Sequence, residues 1–293
     1  MHTIDYVFPN LRRPGNRGGL AERWDLAVNH GCRYIEMPAP FVFVEHEKRA
    51  TGQSYGELLT PETIALLYTE GSALPGALEY ILHTDPGFDN TGSGYSPEYL
   101  RWYDLEWVDA YARMLVEIAC RLGKVPHTIE IHPGSHKNQA PDYVAAMKTL
   151  QDVFEEQAGR RPGIVLENLM ISRVHSGVQL AEIWETLIAT DPSMAESCGF
   201  VVDISGIWTA NKTKKKAYPV SFNAIPIEAV KGLHVHLKHG PVVEEDDPAF
   251  WACFREWMKT IDHSIFVNPE IHTMEDFLVL YPYCRGLFLG RSR

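Results

Sequence analysis

Ile164-Val165-Leu166-Glu167-Asn168, followed one helical stretch later by Phe200-Val201-Val202-Asp203, is the part of the chain that decides its fold. Each is a short apolar run that ends on a carboxylate. Runs this short, bounded by longer segments of helical period, read as buried strands. Working outward, comparable runs occur at Ile4–Phe8, Arg33–Met37, Tyr80–Thr84, Thr128–His132, Gly232–Leu237 and Ile265–Glu270. The intervening segments carry helix starts. Thr60-Pro61 and Ser96-Pro97 put a capping hydroxyl before a first-turn proline, and Asp247-Pro248 does the same with a carboxylate. Between Pro97 and Leu122 the apolar positions Leu100, Leu105, Val108, Tyr111, Ala112, Leu115, Ile118 and Ala119 predict one helix with a buried face, stopped by Gly123. Eight strands alternating with helices predict a single (β/α)8 barrel over residues 1–293. A doubly wound open sheet competes, but its glycine-rich first turn is missing: Asn10-Leu11-Arg12-Arg13-Pro14-Gly15-Asn16-Arg17-Gly18-Gly19 contains no G-x-G-x-x-G.

Composition narrows the class of protein. With 45% apolar and 22% charged residues the chain is no disordered or solvating segment. No apolar run approaches the ~18 residues of a membrane-spanning helix. The start, Met1-His2-Thr3-Ile4-Asp5, lacks a basic segment followed by an apolar one, so no signal peptide is expected. Five cysteines stand singly with no C-x-x-C pair, which suits reduced thiols in a cytoplasmic protein. The balance of 27 basic against 38 acidic residues, net −11, argues against a surface devoted to nucleic acid but allows a local basic rim.

Metal-capable residues close six successive strands: His83, His132, Glu167, Asp203, His236 and Glu270. The last four intervals are 35, 36, 33 and 34 residues, about one β/α unit each. In a barrel all carboxyl ends of strands meet on one face, where active sites lie. Any one of these residues alone reads as a satisfied core histidine or a helix cap. Three imidazoles and three carboxylates in one pocket are too costly to leave unpaired, and a divalent ion resolves the cost. Mixed nitrogen and oxygen ligands suit zinc, manganese or iron. Strand alternation puts His234 one layer below His236, and Glu130 one below His132; the first is expected to be a buried, hydrogen-bonded histidine and the second to orient His132.

The chain resembles the xylose isomerase-like TIM-barrel superfamily, and within it the endonuclease IV family (AP endonuclease family 2). Ile131-His132-Pro133-Gly134-Ser135-His136 is similar to that family's H-P-G-S-H segment, Val165-Leu166-Glu167-Asn168 to its V-x-E-N, Val202-Asp203 to its sixth-strand aspartate, and His236-Leu237-Lys238-His239 to its H-L-N-D. Leu82-His83 and Pro269-Glu270 follow the same order, over residues 80–272. The resemblance implies two ions: one held by His83, His132 and Glu167, the second by Glu167, Asp203, His236 and Glu270. The family's third zinc needs a histidine where this chain has Gly206, and a D-x-H that the loop Gly240–Asp247 lacks. That site is expected to be lost.

Two chemistries fit. A phosphodiesterase uses two ions about 3.5–4 Å apart, bridged by a carboxylate such as Glu167. A sugar or sugar-phosphate isomerase or epimerase needs one ion, with Glu167 and Glu270 moving protons. The pair His83 and His132 favours the two-metal hydrolase. Substrate contacts are expected from His136, Lys238 and His239, and from the basic residues Arg12, Arg13 and Lys214 in loops beyond the first and sixth strands; these suit a phosphate-bearing substrate, damaged DNA or a sugar phosphate. Phe41, Phe43, Trp208 and Tyr218 are candidates for stacking on a base or sugar ring. A barrel that only binds, without catalysis, would hold no tight metal.

Overall fold

The computed structural model of the chain describes residues 3–11, 20–39, 76–84, 100–169, 172–214 and 218–288. Strands β1 (Ile4–Phe8), β2 (Tyr34–Ala39), β3 (Glu79–Thr84), β4 (Thr128–Ile131), β5 (Gly163–Glu167), β6 (Cys198–Asp203), β7 (Val230–His234) and β8 (Ile265–Asn268) pair in parallel in chain order, and β8 closes on β1. The expected (β/α)8 barrel is therefore present. Its described helices are α1 (Leu20–Asn29), α2 (Leu105–Leu122), α3 (Ala140–Ala158), α4 (Gly177–Thr190), α5 (Ile204–Lys214), α6 (Tyr218–Asn223), α7 (Pro248–Met258) and α8 (Met274–Phe288). None of them is long and apolar enough to cross a membrane.

Alternation along the strands builds two cores. Outward residues such as Ile35, Leu82, Ile129, Ile164, Leu166, Val202 and Leu233 pack beneath the helices. Inward residues Val7, Tyr34, Ile81, Val165, Val201 and Phe266 form a separate apolar floor inside the barrel. This floor separates the two ends of the barrel interior: Asp5 and Thr128 lie at or below it, lining a cavity at the amino ends of the strands, and the polar inner residues toward the carboxyl ends lie above it.

Several boundaries differ from expectation, most of the strands by one or two residues. The helix expected from Pro97 begins at Leu105, because Asp104 takes the cap position and accepts the Trp107 N–H; Gly123, at φ 70°, ends it as expected. Thr60-Pro61 and Ser96-Pro97 lie outside the described residues. The strands also stop short of their predicted ends, β7 at His234 and β8 at Asn268. Pro269 has no N–H to give the ladder, and after Val235 the chain turns into a two-residue hairpin at Leu237–Gly240. The cap at Asp247 is present, its carboxylate accepting the Phe250 N–H of α7.

Candidate metal centre

Two residues above the apolar floor, strands β2 to β8 each turn a polar side chain inward: Glu36, His83, Glu130, Glu167, Asp203, His234 and Asn268. All seven are buried, Glu130 and His234 completely. His132, His236 and Glu270 follow two residues later, just past the last paired positions of β4, β7 and β8.

The side chains meet as an alternation of carboxylate and imidazole. Glu36 Oε1 lies 2.7 Å from His83 Nδ1 in an aligned hydrogen bond. That pairing leaves His83 Nε2 facing His132 Nε2 at 3.3 Å, Glu130 Oε1 at 3.5 Å and Glu167 Oε2 at 3.8 Å. His132 Nδ1 lies 3.4 Å from Thr84 Oγ1, and its Nε2 is 2.9 Å from Glu167 Oε2. Across the mouth, Glu270 Oε2 is 2.9 Å from His236 Nε2 and 3.1 Å from His234 Nδ1. His236 Nε2 is 3.3 Å from Asp203 Oδ1, and His234 Nδ1 is 3.3 Å from Glu167 Oε1. Among the described residues, four groups have ligand atoms close enough to hold an ion: His83–His132–Glu167 and His236–His239–Glu270, which share no residue, and Glu36–His83–Glu270 and Glu130–Glu167–His234, which overlap them.

No family model matches the sequence, and no curated protein does either. Solved structures do. One is AP endonuclease, family 2, from Brucella melitensis: TM-score 0.56, 12% identity, 97% of this chain and 99% of that one. A D-tagatose 3-epimerase-like protein matches with TM-score 0.54, 14% identity and 97% of each chain. An IOLI protein with a bound zinc atom matches with TM-score 0.53, 13% identity, 97% of this chain and 94% of that one. This is the fold of the xylose isomerase-like barrels. At these identities the likeness is one of fold.

The side chains of this barrel fit a divalent ion on their own geometry. Glu167 Oε2, His234 Nδ1, His236 Nε2 and Glu130 Oε1 are buried without an aligned hydrogen-bond partner, although opposite charges lie within 2.9–3.5 Å of each, and Glu130 Oε2 is buried without a partner as well. Distances suited to hydrogen bonds, with directions that miss them, describe donors converging on a common point. Buried polar atoms are otherwise nearly always paired. Electrostatics agree. Burial disfavours the charged forms of His83 and His234, yet Glu130 and the neighbouring carboxylates hold both imidazoles well above their ordinary range. Burial likewise opposes the Glu167 and Glu270 carboxylates, but His132 in one case and His234 in the other keep them well below theirs. Without an ion, protons on the imidazoles balance the carboxylates.

The motif segments explain how the ligands are held. Trp102 Nε1 donates to the His132 carbonyl at 2.8 Å, while Asn138 Nδ2 and Tyr143 Oη each donate to the Pro133 carbonyl at 2.9 Å. Asn168 clamps β6: its Oδ1 accepts the Asp203 N–H at 2.9 Å and its Nδ2 donates to the Asp203 carbonyl at 3.0 Å. Gly206 packs against this clamp. A Cβ there would stand 2.9 Å from Asn168 Nδ2 and 3.0 Å from Asp203 Oδ2, so a histidine at that position would displace the clamp.

Several expectations need correction. Glu130 turns toward His234 and His83, at 3.0 and 3.5 Å, rather than orienting His132, because it sits one layer lower. His234 is buried and hydrogen-bonded as expected, with Asn268 Nδ2 3.4 Å from its Nε2, and it also enters a donor group with Glu130 and Glu167. Asp203 Oδ1 also accepts the Ser205 N–H at 2.8 Å, capping α5, which leaves it at the margin of the centre. Trp208 is no stacking platform: it is buried, Lys212 and Lys238 lie 4.2 and 5.5 Å from its ring centre, and its Nε1 donates to Asp247 at 3.0 Å. His239 is exposed, stacks on His236 at 4.7 Å and on His272 at 4.6 Å, and so enters the second donor group. Lys238 is exposed beside it, and His136 is exposed on the turn after β4, outside both donor groups. Arg12, Arg13, Phe41 and Phe43, and the side chains of Lys214 and Tyr218, lie outside the described residues. Sequence reasoning missed Glu36 and Asn268. Their signal was a polar residue at an inward register in an otherwise apolar strand, Tyr34-Ile35-Glu36-Met37 and Ile265-Phe266-Val267-Asn268.

Proposed function

We propose that the chain is a divalent-metal-dependent phosphodiester hydrolase, zinc favoured and manganese or iron suited to the same donors, with two ions at the barrel mouth. One observation carries the reading: two donor groups that share no residue, with Glu167 reaching from the first toward Glu270 in the second through the shared neighbour His234, at 3.3 and 3.1 Å. A bridging carboxylate is what two ions about 3.5–4 Å apart require, and such a pair supplies a nucleophile near neutral pH and positive charge for both reacting oxygens. The chain's own contribution is positional. Glu36 fixes the His83 ring with Nε2 inward, Thr84 does the same for His132, and Glu167 joins the two positions. Lys238 offers a cation at the rim for a phosphate oxygen. The resemblance to endonuclease IV favours damaged DNA as substrate. Because Gly206 leaves no room for a third-ion ligand, the reaction would run on two ions.

The test is nicking of a duplex oligonucleotide with one abasic site, before and after metal removal. The expected result is incision that disappears with chelation and returns with zinc or manganese. A metal-loaded protein that leaves the strand intact would transfer the reading to small carbohydrates. That second reading, isomerisation or epimerisation of a sugar or sugar phosphate, has its own support: Glu167 and Glu270 flank the same imidazole nitrogen, as two carboxylates would on either side of a carbon that loses and regains a proton.

A pH dependence follows from the raised imidazoles. A ligand histidine must be neutral, so an ion entering at pH 7 displaces the proton that His83 carries in the metal-free protein. Below the raised value, each displaced proton lowers affinity about tenfold per pH unit. Zinc affinity is therefore expected to fall as the pH is lowered from 8 to 6, by about tenfold per unit where one such proton is displaced. Calorimetric heats should track the buffer's ionisation enthalpy. Affinity flat over that range would mean neutral rings in the metal-free state.

A further inference from the structure

The apolar floor has a second face. Below it, at the amino ends of the strands, a cavity of about 490 Å³ opens on the side of the barrel opposite the donor groups. That volume is typical of small-molecule sites. Tyr34, Val165 and Phe266 of the floor form its inner wall. The His127 ring lies 4.9 Å from Tyr34, and Phe266 lies 6.3 Å from it on another side. On β5 the inward face carries Gly163 below Val165, so no side chain fills the hollow there. The amino face of such a barrel ordinarily serves stability. Its charged residues are then expected to satisfy one another.

Its four cations divide on that criterion. Arg33 is neutralised by Asp5 at 2.8 Å, and Arg161 by Asp152 and Glu155 of α3 at 2.6 and 2.5 Å. Arg160 and Lys231 have no carboxylate partner among the described residues, and Glu196, the other carboxylate of the lining, is exposed and pairs with neither. Lys231 is partly buried, which pushes its amine below the ordinary range, and its Nζ donates to the Ala195 carbonyl at 3.0 Å. The backbone is bent to place it. Val230 and Gly232 pair with the consecutive residues Phe200 and Val201 of β6, which makes Lys231 the extra residue of a β-bulge. In a regular strand Lys231 would share the outward face of Leu233, beneath the helices; the bulge turns it to the cavity, which it lines. A partly buried ammonium without a counter-charge is costly, and a bound anion offsets the cost.

We propose that this cavity binds a phosphorylated small molecule with a planar ring, its phosphate taken by Lys231 and Arg160 and its ring by Tyr34 and Phe266. Two unneutralised cations call for a dianion, and a phosphate monoester carries nearly two charges near pH 7. Ammonium and guanidinium groups both form strong charge-assisted hydrogen bonds to its oxygens. The ring covers aromatic surface that inorganic phosphate would leave bare. The cavity lies across the floor from the metal centre, so the proposal does not rest on the two-ion reading.

Phenylphosphonate, a phosphate-like group on a ring, is the probe, titrated calorimetrically into the protein with zinc and after chelation. One saturable equivalent is expected that survives chelation, since none of the donor groups lies in this cavity. Lys231→Met keeps the stem and removes the charge; it and Arg160→Gln should each weaken binding about tenfold or more. Arg160 is exposed, so its variant stays readable if Lys231→Met fails to fold. Lys238→Gln, at the opposite mouth, should leave this equivalent unchanged. Inorganic phosphate should bind more weakly than the probe, because it leaves the aromatic wall uncovered. Binding that is lost on chelation, or with Lys238→Gln, would place the probe at the metal centre and overturn the proposal. No saturable binding, or wild-type affinity in either folded amino-end variant, would overturn it as well. Equal affinity for inorganic phosphate would overturn the assignment of a ring.

Discussion

Glu167→Gln is expected to abolish turnover while leaving the barrel folded. The two oxygens of Glu167 face different imidazoles: Oε2 toward His132 and His83, Oε1 toward His234. Glutamine keeps the shape and the space on β5, so the surrounding strands have no cavity to fill. It removes the charge, however, and an amide does not bridge two cations. Lewis-acid stabilisation is worth several kcal/mol; at about 1.4 kcal/mol per decade its loss is roughly a thousandfold or more in rate. Zinc content should fall at the same time, since both ion positions draw on this residue, while far-ultraviolet circular dichroism stays as in the wild type. Full occupancy at an unchanged rate would remove Glu167 from the centre. A lower rate with both ions retained would instead assign it to proton movement, which belongs to the isomerase reading.

The barrel was legible because its strands are buried on both faces and so read as short continuous apolar runs. Ile4–Phe8 matches at both ends, and β6 shares its end at Asp203. The layer above the floor was only half legible. His83, Glu167 and Asp203 stand out as the last polar residue of an apolar run, but Glu36 and Glu130 sit inside their runs, with Met37 or Ile131 still to come. Inside a strand a charge is visible as functional only when the register is known, because a shift of one residue would send it outward to the helices. His234 is the clearest case. Reading β7 through to Leu237 made His236 the strand-end residue and pushed His234 down a layer. The ladder ends at His234, and that is what brings its ring level with Asp203 and Asn268, its registered neighbours on β6 and β8. The capping role of Asp203 was legible as an alternative, but not that it would coexist with the approach to His236.

The other large effect is expected far from any charge, at Gly134→Ala. The H-P-G-S-H segment looks like a string of ligands, yet only His132 of it enters a donor group, and the rest fixes the path by which the chain leaves β4. Gly134 has φ 66°, and a Cβ there would stand 2.3 Å from Leu100 Cβ and 2.5 Å from the Leu100 carbonyl oxygen. The second contact is with backbone, which no rotamer change relieves. Leu100 is itself pinned, because its carbonyl accepts the Ser135 N–H at 3.1 Å and Asn138 Nδ2 at 2.9 Å. Even one methyl group must therefore pry residues 100–102 from residues 133–138. Overpacking of this kind costs about 1–3 kcal/mol, and the left-handed backbone adds roughly 1 kcal/mol or more. At roughly 2–4 °C per kcal/mol, thermal melting should fall by at least about 5 °C. Because Trp102 moves with the segment and holds the His132 carbonyl, the first ion position should weaken along with stability, which distinguishes this variant from a simple surface lesion. Trp102→Phe provides the comparison: it keeps the buried ring and drops only that hydrogen bond. It should weaken zinc at the His83–His132–Glu167 position with a smaller loss of melting temperature. A Gly134→Ala protein that melts and binds zinc like the wild type would mean that the contact with Leu100 is not what holds His132 in place.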